Sequence, residues 1–210
     1  MTQMHPYPPF VPPNPTALIL GSTPPCRFCN CPTCHIGAGD VDFYYGSEDN
    51  SFWDLLSHAL SENRPLTKIQ MESLLTQHQI AMADILLEFD RINHSASDMN
   101  ITCIKFNHLI LPILKKVNRV YCTSNQVFHW LKAYLQPLGY LFQPHHCDKR
   151  KYNVTLEATI KLECIILFSP SRQALRGLGG NQEYQRLMTL DPNYSTAMFR
   201  QDDYTRQFQQ

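Results

Sequence analysis

Short unbroken apolar runs alternate along the chain with segments in which apolar residues recur every three or four positions. Ala17-Leu18-Ile19-Leu20 lies between Pro15 and Gly21 and is the kind of run that forms a strand buried on both faces. Arg119-Val120-Tyr121-Cys122-Thr123 and Cys164-Ile165-Ile166-Leu167-Phe168 read the same way, the second being the most apolar in the chain. Between them lie amphipathic stretches. Ser51 caps a helix to about Leu60 with Phe52, Leu55, Leu56 and Ala59 on one face, and Thr67 to Gln79 repeats the pattern with Ile69, Met71, Leu74 and Leu75. Asn107 is placed to cap a helix reaching Lys116, and Ser124 opens another with Val127, Phe128, Leu131 and Tyr134 inward. Glu183 to Leu190 and Thr196 to Phe208 are amphipathic pieces after the last strand. Ile80 to Leu86 is apolar but too short to choose between helix and strand; Thr102-Cys103-Ile104 is a short apolar run and Ser95 to Asp98 a polar loop. Strands alternating with helices predict an α/β three-layer sandwich with a mainly parallel central sheet.

Composition narrows the class. The 210 residues suffice for one good core, and 43% hydrophobic with 17% charged residues is ordinary globular usage. Residues 1–15 form a separate segment: His5 to Pro15 holds six prolines and should run extended along the surface of a single domain spanning 16–210. No apolar run reaches the roughly 20 residues that span a bilayer, so a soluble cytoplasmic protein is expected. Lys and Arg balance Asp and Glu at 18 each, which excludes a global field drawing the protein to nucleic acid. Any basic surface must be local.

Candidate chemistry gathers after the first strand. Gly21-Ser22-Thr23-Pro24-Pro25 is a turn at a strand end, where α/β sheets place their ligand crevice. Phe43-Tyr44-Tyr45-Gly46 and Asn50-Ser51-Phe52-Trp53 follow, supplying stacking faces and a side-chain amide suited to a flat heterocycle. Ser169-Pro170-Ser171 after the last strand faces the same crevice.

The order and spacing of these segments resemble the uracil-DNA glycosylase superfamily, closest to its hypoxanthine-DNA glycosylase and mismatch-specific branches. The matching steps are Gly21 to Pro24, Tyr44-Tyr45, Asn50 to Trp53 and Pro170-Ser171, with His5 to Pro9, Ala83 to Leu86 and Val120 to Asn125 in support. The resemblance implies a monofunctional DNA glycosylase: a monomer that binds DNA, needs no membrane or small-molecule cofactor, and hydrolyses the N-glycosidic bond of a flipped-out deaminated or modified base. A same-fold enzyme for a hypermodified base, as in phage DNA, and a non-catalytic nucleic-acid-binding module are the alternatives. On this reading the base pocket comprises Gly21, Ser22, Pro24, Phe43, Tyr44, Tyr45 and Ser171, and catalysis falls to Asn50, with Asp49 and Thr23 nearby. Thr23 stands where the mismatch-specific branch carries a water-positioning asparagine, Glu48-Asp49 where the hypoxanthine branch tends to have Pro-Arg, and the late loop lacks the usual histidine. DNA contact is expected from Lys149, Arg150, Lys151, Arg172, Gln173 and Arg176.

The remaining feature is a Cys-rich insertion at 26–40. Cys26, Cys29, Cys31 and Cys34, with adjacent His35, have the thiolate density of a structural zinc site, with remote Cys147 as a further ligand. An iron–sulfur cluster and free thiols are the competing readings.

Overall fold

The computed structural model describes residues 2–29, 34–92, 97–156 and 160–209. Strands run at Thr2–Met4 (β1), Ala17–Gly21 (β2), Ile80–Asp84 (β3), Leu86–Arg91 (β4), Ile101–Phe106 (β5), Arg119–Cys122 (β6), Leu141–Pro144 (β7), Lys151–Leu156 (β8) and Ile160–Ile166 (β9). Helices occupy Phe52–Ala59 (α1), Lys68–Gln77 (α2), Leu111–Leu114 (α3), Asn125–Leu135 (α4), Leu175–Leu178 (α5), Gln182–Leu190 (α6) and Thr196–Phe208 (α7).

The main sheet has the order β3-β2-β6-β9-β8-β7. Its first four strands are parallel, whereas β8 runs antiparallel to both β9 and β7. The sheet is therefore mixed rather than mainly parallel. The connections around β8 are too short for the crossover that a parallel neighbour requires, so the chain must turn back on itself. A second, antiparallel sheet, β1-β4-β5, also departs from the expected architecture. It arises because the chain leaves β3 through Ile85 and enters β4 at once, carrying the apolar segment 80–86 from one sheet into the other.

Side-chain alternation on the parallel strands separates two cores. Leu18, Leu20, Ala81, Ala83, Val120 and Cys122 pack against α3 and α4, while Ala17, Ile19, Ile80, Met82 and Tyr121 pack against α1, α2 and Tyr204 of α7. Helices on both faces make the three layers. Thr67 and Gln70 form a reciprocal capping box on α2, and Ser124 Oγ accepts the Val127 N–H to start α4. Ser51 makes no such bond; Asn50 Oδ1 accepts the Phe52 N–H at 2.9 Å instead.

Helix α7 is tied down by charge as well as by packing. Asp203, almost fully buried, accepts from Arg150 Nη1 at 2.9 Å and Arg206 Nη2 at 2.7 Å, and the Arg150 guanidinium lies 4.2 Å over the Phe168 ring. Arg200 Nη1 donates to the carbonyls of Ser169 and Ser171, fixing the loop after β9. Among the described residues no helix is long and apolar enough to cross a membrane.

Candidate active site

The parallel strands β2, β3, β6 and β9 end along one edge of the sheet, and the ladder continues past them. The Ile85 N–H donates to Gly21 O, the Thr123 N–H to Leu20 O and the Leu167 N–H to Cys122 O. This is the edge at which doubly wound sheets bind ligands.

Gly21 sits at the centre. A Cβ there would collide with Asp84 Oδ1 and Tyr45 Oη, so the missing side chain is what lets both groups lie against the turn. Tyr45 has a left-handed backbone, φ 54°, unusual for a bulky residue and held by the contacts around it. Its ring stacks on Phe52 with centroids 4.2 Å apart, and its hydroxyl shares a 2.8 Å hydrogen bond with Thr123 Oγ1. Burial pushes that phenol well above its ordinary range, so Tyr45 acts as a neutral group.

Phe43 and Tyr44 are placed differently. Phe43 is buried against Tyr7, Phe10 and Trp53, and the Tyr44 hydroxyl donates towards the carbonyls of Tyr7 and Pro8. Both are core residues rather than part of the strand-end crevice, where the sequence placed them. Tyr45 is the aromatic that reaches the strand ends.

Asn50 forms an isolated antiparallel bridge with Ser171, and the Ser51 N–H donates to Pro170 O at 3.2 Å. This joins the segment before α1 to the loop after β9 and brings two regions far apart in sequence to one rim. Asn50 Oδ1 is partly committed to capping α1, which turns the amide so that its Nδ2 donors are what remain for a ligand. Asp49 has a side chain 74% exposed, 3.7 Å from Arg27 Nη2. Thr23 Oγ1 accepts from Arg91 Nη2 at 2.8 Å, and the same nitrogen donates to Pro24 O.

Several groups at this edge escaped the sequence reading. Arg91 reaches the Thr23 turn from the end of β4, and Asp98 hydrogen-bonds Ser22, its carboxyl raised above the usual carboxylate range chiefly by burial. Asp84, paired with His5 at 2.7 Å, lies beneath Gly21. Asp84 carried a signal, being a lone charge inside the apolar run from Ile80 to Leu87, and its segment was part of the resemblance although no role was given to it. Asp98 lies in a polar loop where nothing marked it.

The predicted basic set divides. Arg172 is exposed next to the Asn50–Ser171 bridge, with Nη2 donating to Glu48 O, Gln173 is exposed after it, Arg176 is exposed in α5, and Lys149 is exposed in the β7–β8 turn. Arg150 is committed to Asp203, and Lys151 is buried with Nζ 4.0 Å from Glu163.

In the Cys-rich insertion, Cys31 lies outside the described residues. Cys26 and Cys29 are buried, and Cys34 Sγ lies 3.7 Å from Cys26 Sγ. Cys147 is exposed between β7 and β8. Among the described residues no three His, Cys, Asp or Glu side chains gather closely enough to hold a metal ion, and His35 joins no such group. Arg27 anchors the insertion to the acidic turn: it pairs with Asp40 at 2.6 Å, which holds that carboxyl down at about 2, and donates to Ser47 Oγ.

No protein-family profile matches the chain, and no curated protein matches it. Among solved structures it is similar to an NMR structure of a "putative Uracil DNA glycosylase from Methanosarcina acetivorans", at TM-score 0.59 and 17% identity, covering 99% of this chain and 97% of that one. The fold is uracil-DNA glycosylase-like. At that identity the likeness establishes architecture, and it spans the N-terminal segment as well as the sheet.

Proposed function

We propose that the protein is a monofunctional DNA glycosylase that hydrolyses the N-glycosidic bond of a flipped-out deaminated or modified base, working as a soluble cytoplasmic monomer without a small-molecule cofactor. The observation that carries this reading is the convergence of the Gly21 turn, the Tyr45 ring and the Asn50–Ser171 bridge at the carboxyl edge of the parallel strands. A base taken out of the duplex needs a surface to replace its lost stacking, which Tyr45 offers, and donors for the charge that builds as it leaves. The Asn50 Nδ2 group and the backbone N–H groups of the turn that follows Gly21 are those donors. The bond between sugar and base breaks with its electron pair going to the base; water then bonds to the sugar carbon. The test is incubation with duplexes carrying uracil, hypoxanthine, xanthine or modified cytosines, followed by alkaline cleavage. Strand scission at one of these bases is the expected result, and tight binding without an abasic product would reassign the protein to the non-catalytic class.

DNA docking in this reading uses Arg172 and Arg176, with Gln173 beside the emptied stack. Replacing both arginines with alanine should weaken binding to any duplex. Each phosphate contact contributes about 0.9 to the slope of log affinity against log salt, so the slope should flatten by roughly 1 to 2. An unchanged slope would move the docking face elsewhere.

We further propose one structural zinc in the insertion. The 3.7 Å separation of Cys26 Sγ and Cys34 Sγ matches the edge of a tetrahedron with metal–sulfur bonds of about 2.3 Å. Elemental analysis of protein purified without added metal should give one zinc per chain. Stoichiometric iron, or no metal, would overturn the assignment.

A further inference from the structure

Side chains from β1, β4 and the Cys-rich insertion meet at the turn that follows Gly21. Arg91 ends β4, and its Nη2 donates to Thr23 Oγ1 and to Pro24 O, each at 2.8 Å. Its Nε donates to Gln3 Oε1 of β1 at 3.3 Å. Gln3 Nε2 in turn donates to Cys26 Sγ at 3.1 Å, and Cys26 Sγ lies 3.7 Å from Cys34 Sγ. Cys29 Sγ sits 3.7 Å from Pro25 O and 3.9 Å from Pro24 O, the carbonyl that Arg91 also holds. A chain of contacts therefore runs from the thiols to the turn.

The sequence of the turn explains why it needs such a brace. Pro24 and Pro25 have no N–H, so the backbone there cannot donate a hydrogen bond to hold itself. A guanidinium bound to the Thr23 side chain and the Pro24 carbonyl fixes the turn from outside, and with it the N–H groups offered to a leaving base. The insertion also grips the other side of the site. Arg27 Nη2 donates to Ser47 Oγ at 2.7 Å, Asp40 Oδ1 accepts the Glu48 N–H at 3.0 Å, and Ser47 Oγ accepts the Asp49 N–H at 3.2 Å, immediately before Asn50. Both donor-bearing segments are thus fastened to residues 26–40.

We infer that the Cys-rich insertion sets the geometry of the base site, and that Arg91 is the positioning residue that carries the arrangement of Cys26, Cys29 and Cys34 to the Thr23–Pro24 turn. Its effect on excision rests on the glycosylase reading. Arg91 acts through the turn, holding the N–H groups where the electron pair of the broken bond arrives. A change at the thiols therefore acts on the chemical step more than on docking of the duplex.

Single-turnover excision of the base that alkaline cleavage identifies, and affinity for a duplex carrying the tetrahydrofuran abasic analogue, are measured on the full-length protein, Cys34→Ser, Arg91→Lys and the double variant. Cys34→Ser should slow excision by roughly five- to tenfold while its affinity for the analogue stays within about twofold. Arg91→Lys, whose ammonium cannot reach Thr23, Pro24 and Gln3 together, should do the same, and the double variant should be no slower than the slower single. A product of two separate losses, a native rate in Cys34→Ser, or a matching loss of affinity overturns the inference. The link is also read without DNA, by alkylating the thiols with iodoacetamide and locating the products by peptide mass spectrometry. Thr23→Val, which removes an acceptor of Arg91, should raise the rates at Cys26 and Cys34 by about fivefold, the opening expected from one lost hydrogen bond. Unchanged rates overturn the link. A wild-type protein that excises no base overturns the glycosylase reading alone, and the alkylation rates still decide the link.

Discussion

Asn50→Ala is expected to lose about a hundredfold in excision rate while still binding DNA, because one transition-state hydrogen bond of this kind is worth roughly 3 kcal/mol. The variant also removes the oxygen that caps α1, at a cost of about 1 kcal/mol in stability. Asn50→Asp separates the two effects. Its carboxylate still accepts the Phe52 N–H, so the fold should hold, but it has no amide donor and should excise as poorly as alanine. Single-turnover rates with melting temperatures measure both. If Asn50→Ala excised at the native rate while Asp49→Asn was inactive, the role would belong to the exposed acidic turn.

Asp203→Ala is expected to be the most destabilising surface-distant change in the last helix. It leaves the Arg150 guanidinium in a largely buried place without its carboxylate and also removes the partner of Arg206. Breaking a buried pair from one side costs roughly 3 kcal/mol, or about 6–12 °C in melting temperature for a chain of this size. Asp203→Asn keeps an acceptor for Arg150 and should fall between the two. Calorimetry checks this, and a native melting temperature for the alanine variant would show that packing of Tyr204 and Phe199 alone holds α7 in place.

What the sequence conveyed was governed by how strongly each segment is buried. Ala17 to Gly21, Val120 to Cys122 and Cys164 to Leu167 are buried throughout, so their apolar runs were unmistakable, and α2 and α4 bury apolar residues at helical spacing. The β7–β8 hairpin was missed for the opposite reason. Leu141 to Pro144 is mostly exposed and lies at the sheet edge, so no alternation is imposed on it. The switch from β3 to β4 was hidden because Ile85 and Leu86 are as buried as the strand before them. At the site, Phe43, Tyr44 and Tyr45 are alike in sequence, and only the left-handed turn at Tyr45 decides that it alone faces the strand ends. Arg150 and Lys151 looked like free surface charge beside Lys149, yet their partners Asp203 and Glu163 lie 53 and 12 residues further on.

The N-terminal segment also bears on how the edges of the sheets are closed. Phe10 and Met82 exchange both backbone hydrogen bonds on the outer side of β3, and Pro12, Pro13 and Pro15 follow, which cannot donate to a further strand. The main sheet is thus closed at one end by prolines and at the other by a short β7 that itself finishes in Pro144. Among the described residues no strand pairs with the smaller sheet beyond β5, where Thr102, Ile104 and Lys105 are exposed. Any strand-to-strand aggregation of folded molecules would therefore begin in the smaller sheet, at the outer edge of β1 or of β5, and a proline or a second lysine at Ile104 is the change that would suppress it at β5.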